Sequence, residues 1–163
     1  MTTRLTLHFT LEEFTHSDYA IAHGIDNSLP AELFDKAQST AQMGERVRTF
    51  LSSKAGIDVP IHTSSVWRCP ALDMAIRKRP KTGDHSRMEA MDFTAPAFGT
   101  PYEIAKALAP MISILGIGQL IYECPTNGSE WVHISSRVPD KIVNRVITIS
   151  PEGPQVGIQV VKA

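Results

Sequence analysis

Helical and strand-like periodicities occupy different parts of this chain, and that segregation most restricts how it can fold. From Pro30 onward, Leu33, Ala37, Ala41, Val47 and Leu51 recur at helical intervals, with a proline at the first turn and Gly56 beyond the last. Toward the other end, four runs, "QLIYE", "WVHIS", "RVITIS" and "VGIQVV", are rich in β-branched and aromatic residues and are separated by Pro, Gly and Asn. Helices first and strands last predict an α+β fold, with N-terminal helices packed on a mainly antiparallel sheet.

The segments between are shorter. Thr10 followed by Glu13 is a capping-box start, and Leu11, Phe14, Ile21 and Ala22 are spaced for one face of a short helix that Gly24 ends. "IDVPIHTSS" reads as a strand leading into the loop "VWRCP". A short helix follows through Leu72, Ala75 and Ile76, closed by Pro80. "AMDF" predicts a short strand, and Tyr102 to about Ile114 a further helix before Gly116 and Gly118. With 163 residues and no internal repeat, residues 1–163 are expected to form one domain that buries its core without disulfides.

Composition removes several classes of function. Sixteen Lys and Arg against 17 Asp and Glu leave a net charge of −1, and "IRKRPK" at Ile76 to Lys81 is the one basic patch, so nucleic acid is not an expected partner. The longest apolar run, from Ala107, is broken by Pro110, Gly116 and Gly118 and is too short for a bilayer, so no membrane anchor is expected. "MTTRLTLHFTLEEF" lacks the unbroken apolar segment of a signal peptide, which predicts synthesis into the cytoplasm. Cys69 and Cys124 have no zinc-type spacing and read as reduced thiols, with a single bridge left open.

Chemistry concentrates in two stretches. "GDHSRMEAMDF" carries His85 and Asp92, and "SEWVHIS" carries His133 with Glu130 three residues before it. Two imidazoles and one carboxylate suit Zn²⁺ and leave a fourth position for water, the arrangement of catalytic zinc. Glu130 is then the expected proton acceptor. Side chains alternate along a strand, so a turn or bulge at Glu130 is needed to bring it to an ion held by His133. Arg68, in a loop after a strand, is the expected cation for negative charge developing on a carbonyl oxygen, against the plainer reading of an ion-paired surface arginine. Trp67 and Trp131 flank these residues and either line a substrate groove or pack the core. His8, His16, His23 and His62 lack the spacing of a second metal site and are expected to be solvated or hydrogen-bonded.

The order "SVWRCPALDMA", "HSRMEAMD" and "EWVH" resembles the zinc D-alanyl-D-alanine carboxypeptidase family, including its phage endolysin members. The opening "HFTLEEFTHSDYA" with "GIDN" is similar to the start of small phage-encoded members. The resemblance covers most of the chain up to about Ser136. It implies His85, Asp92 and His133 as zinc ligands, Glu130 as general base, and Arg68 as the arginine meeting substrate or oxyanion. It further implies that Ser65 shapes the pocket beside Arg68. The implied fold is the α+β one shared with hedgehog signalling domains, and the implied substrate is a peptidoglycan stem peptide cut next to a D-residue. Action on the cell wall after release, or packaging in a phage virion among tail proteins, is the expected setting. A second reading is a virion structural or cell-wall-binding protein that keeps the fold with reduced catalysis. The chain departs from the family pattern at Gly83 for serine, Met88 and Val66 for glycines, and Asp73 for asparagine. Of these, Met88 puts bulk where a glycine turn is usual.

Overall fold

The computed structural model describes residues 1–162. Its organising element is α3, Phe34–Ala55, which Gly56 ends in the left-handed conformation (φ +71°). One face of α3, with Ala37, Ala41, Val47 and Leu51 fully or almost fully buried, packs on the sheet. Gly44 lies on that face because the Phe9 ring leaves no room: a Cβ there would fall 2.8 Å from it.

The helix expected over residues 11–22 is two helices, α1 (Leu11–Thr15) and α2 (Asp18–Ala22). The Thr10–Glu13 capping box starts the first as expected. His16 then turns extended, and the Ser17 side chain accepts from the Ala20 amide to start the second. Next come β1 (His62–Ser65), α4 (Pro70–Arg77) and β2 (Ala90–Thr94). The predicted helix from Tyr102 is shorter than its periodicity: α5 is Pro101–Leu108, and a 3-10 turn at Ala109–Met111 carries Pro110, which cannot donate a helical hydrogen bond.

The remaining strands are β3 (Gln119–Glu123), β4 (Trp131–Ser135), β5 (Val146–Ser150) and β6 (Gly153–Val156). The last expected strand, "VGIQVV", is displaced, since only its Val156 lies in β6. A tight turn after Ser150 starts the β5–β6 pairing at Gly153, and Gly157 (φ +79°) ends the strand. One six-stranded sheet results, in the order β1-β2-β4-β3-β5-β6. It is mixed: β3 and β5 run parallel because β4 returns between β3 and β2, while the other four pairings are antiparallel. The class is α+β, a single domain.

Strand alternation gives the sheet two unlike faces. Met91, Phe93, Leu120, Val132 and Ile134 face the core with α3 and α5. On the other face stand Asp92, Gln119, Ile121, Glu123, Trp131 and His133, which line a cleft of about 590 Å³. Among the described residues no helix is long and apolar enough to cross a membrane. Cys69 and Cys124 are free thiols, as expected.

Candidate metal centre

Three elements bring the predicted ligands together. Asp92 of β2 stands directly opposite His133 of β4 in the antiparallel ladder. His85 reaches the same point from a 3-10 turn, Asp84–Arg87, ahead of β2. That turn ends at Met88, in the left-handed conformation (φ +57°) and fully buried, its carbonyl accepting a 2.6 Å bond from the Thr40 hydroxyl. Bulk is thus accommodated here as core packing, at a backbone conformation that favours glycine.

His85, Asp92 and His133 are all buried, and one ligand atom from each lies within 4.8 Å of the others, so the group can hold a metal ion. His85 Nδ1 donates to the Val66 carbonyl at 2.7 Å, which turns Nε2 toward the site, 3.3 Å from Asp92 Oδ2. His133 Nδ1 lies 2.8 Å from Asp92 Oδ1. Four-coordinate zinc with bonds of about 2.0–2.1 Å holds its ligand atoms about 3.3 Å apart, so this donor set fits the ion in chemistry and in span. Burial opposes the charge on Asp92, but the two imidazoles outweigh it and hold the carboxyl well below the usual carboxylate range. For His133, burial works against the proton and the bond to Asp92 overcomes it, so its pKa is raised.

Arg68 lies beside the ligands and lines the cleft. Its Nε donates to Ser65 Oγ at 2.8 Å, one Nη donates to Asp92 at 3.1 Å, and the other is 3.5 Å from Asp73. Asp73 is fully buried and also accepts from the Gly83 amide at 2.6 Å and from Arg77. Ser65 therefore acts on the guanidinium, which it orients, and is not itself part of the cleft wall.

Two sequence-predicted residues are not brought to this point. Glu130 shows neither the turn nor the bulge that its role needed. Its carboxylate accepts a 2.6 Å bond from the Tyr122 hydroxyl and lies 3.5 Å from the Cys124 thiol, and Tyr122 belongs to the core side of the sheet. Trp67 is buried (3% exposed) with its indole N–H donating to the Ser28 carbonyl at 3.2 Å, so it packs the core and does not line the cleft. Three of the four other histidines are bonded away from the site: His8 pairs with Glu45, His16 with Asp18 and His23 with the Tyr19 carbonyl.

The residue that sequence reasoning missed is Glu123. It ends β3 opposite Trp131, on the side of Ile121 and His133, and it lines the cleft. Burial and the Asp92 charge push its pKa up, against the pull of His133 and Arg68. A carboxylate with a raised pKa facing a group that can hold a metal ion suits proton transfer. Trp131 lines the same wall, and its buried indole N–H has no hydrogen-bond partner among the described residues. The signal for Glu123 was in "QLIYE", where the period-two pattern Gln119, Ile121, Glu123 puts the acid on one face. Choosing that face required the pairing with β4.

Fold and site together define a single-domain α+β protein with a buried two-histidine, one-aspartate group that can hold a metal ion, set in an arginine-lined cleft. No family model matches the chain, and no curated protein or solved structure matches it either.

Proposed function

We propose that the protein is a zinc peptidase that hydrolyses peptide bonds in peptidoglycan stem peptides or cross-links, with the hedgehog/DD-peptidase type of fold, encoded by a phage or prophage. The observation that carries the proposal is the meeting of His85, Asp92 and His133 at one point, with Arg68 and Glu123 in the same cleft. Two imidazoles, a carboxylate and an open side suit catalytic zinc. Zinc bound there supplies Lewis acidity and makes water acidic enough to react near neutral pH.

The chain's own residues divide the remaining work. The Val66 carbonyl fixes the His85 tautomer, and Asp92 and His133 hold each other in register. Glu123 accepts the proton released by the attacking water and passes it to the leaving amine. Arg68, braced by Ser65 and Asp73, places a permanent positive charge where the carbonyl oxygen gains negative charge. The protein reaches the wall after release from the producing cell or within a virion.

Digestion of purified sacculi with the zinc-loaded protein, followed by mass spectrometry of the fragments, tests the reading. Soluble muropeptides indicate an endopeptidase, and loss of D-alanine without such release indicates a carboxypeptidase. Bound zinc with no product of either kind refutes catalysis and leaves a wall-binding or virion structural role.

A further inference from the structure

Five arginines, Arg68, Arg77, Arg79, Arg87 and Arg137, line the cleft, against the carboxylates Asp73, Asp84, Asp92 and Glu123. Two of those carboxylates act as anchors for pairs of arginines. Asp73 binds Arg68 and Arg77, and Asp84, 8% exposed, binds Arg87 and Arg137. Arg68 is also paired with Asp92 and Arg87 with Glu89, so the charges within each cluster offset one another.

Arg137 differs from the rest in how it is held. Its Nε donates to Asp84 Oδ1 at 2.7 Å, and its backbone amide donates to Ser135 Oγ at 3.2 Å. Among the described residues neither Nη has a protein partner, and the side chain is 39% exposed. A guanidinium fixed at Nε and free at both Nη atoms presents a planar pair of donors, the geometry that binds a carboxylate through two parallel hydrogen bonds. It lies four residues beyond His133, on the chain that continues β4. An extended peptide advances about 3.3 Å per residue, so a group a few residues from a bond at the metal centre comes within reach of the long Arg137 side chain.

We infer that Arg137, oriented by Asp84, is a specificity-determining residue that binds a free carboxylate of the peptide substrate, a few residues from the bond that is cut. The identity of the peptide rests on the peptidase reading above; the free guanidinium fork does not. The class of ligand is thus a peptide with an unamidated carboxyl group, and conversion of that carboxyl to a carboxamide removes the charge the fork is built to meet.

Isothermal titration of the zinc-loaded protein with synthetic stem tetrapeptides tests this, using the peptide with all its carboxylates free and versions carrying one carboxamide at a time. One of the amidated peptides is expected to bind roughly tenfold more weakly, the size of a lost charge-assisted bond. Arg137→Gln should bind that pair equally, and Arg137→Lys should restore only part of the preference. Equal affinity of the wild type for all the peptides overturns the inference, and if they are also hydrolysed the peptidase reading stands without it. A preference that survives in Arg137→Gln refutes the assignment to this residue. Absence of binding by every peptide, with zinc bound, refutes both.

Discussion

Glu123 lies diagonally across the β3–β4 ladder from His133, on the same face of the sheet, with Trp131 as its own register partner and Ile121 opposite His133. Glu130 is nearer to His133 in sequence, yet its carboxylate is engaged by the Tyr122 hydroxyl on the core side.

This arrangement separates the two acids experimentally. Glu123→Gln should lower turnover by about 10²–10⁴-fold while zinc content stays at one per chain, because only proton transfer is lost. Glu130→Gln should lower it far less. Product release from sacculi, with metal analysis of each variant, measures both effects, and the opposite ranking would return the base to Glu130.

Zinc should stabilise the fold in proportion to its binding. At a free concentration about a hundredfold above Kd, the gain is about 2.7 kcal/mol. A domain of this length shifts by about 2–4 °C per kcal/mol, so melting should rise by about 5–10 °C. His85→Ala and His133→Ala should abolish the rise, since each removes one of the three side chains that could hold the ion. Differential scanning fluorimetry with and without a chelator reads it directly.

Met88 sets backbone strain against burial. Its left-handed conformation costs a non-glycine residue about 1–2 kcal/mol, while truncating a fully buried methionine costs about 2–5 kcal/mol. Both Met88→Ala and Met88→Gly should therefore destabilise. Glycine also relieves the strain, so it should be no worse than alanine, whereas at an ordinary buried position it is worse. Urea denaturation of the two variants compares them.

The contact between Glu45 and the segment from Thr6 to His8 is expected to loosen in acid. Glu45 accepts from the Thr6 hydroxyl at 2.7 Å and from the His8 amide and ring at 2.8 Å each. Burial raises its pKa, but these bonds outweigh it and the folded value is lowered. A lowered folded pKa contributes stability that is complete above the unfolded value of about 4.3 and is lost as pH falls through the folded one. Glu45→Gln should flatten this part of the acid limb, as followed by denaturant melts between neutral pH and pH 2.

Much of the site is legible in the sequence alone. His85, Asp92 and His133 differ in chemistry from their neighbours; the meeting of Asp92 and His133 needed only that "AMDF" and "WVHIS" pair as strands, while the turn ahead of β2 brings in His85. Arg68 was legible as an arginine in the loop after β1, and Ser65, assigned to the pocket by resemblance, proves to act by holding that guanidinium. Glu123 was not legible, because its position on a strand end says which residues share its face but not which face turns to the cleft. Trp67 was ambiguous for the same reason: an indole beside a site residue in sequence can point to either side, and here it points to Ser28 and the core.

By itself, the sequence determined the α+β class, the long helix between Pro30 and Gly56, and the residue types able to hold a metal. These depend on periodicity, capping and side-chain chemistry, all of which are local. Only the tertiary structure decided the parallel β3–β5 pairing, the displacement of the last strand, and which carboxylate stands beside the ligands. Those follow from strand register, where a shift of one residue moves every side chain to the other face of the sheet.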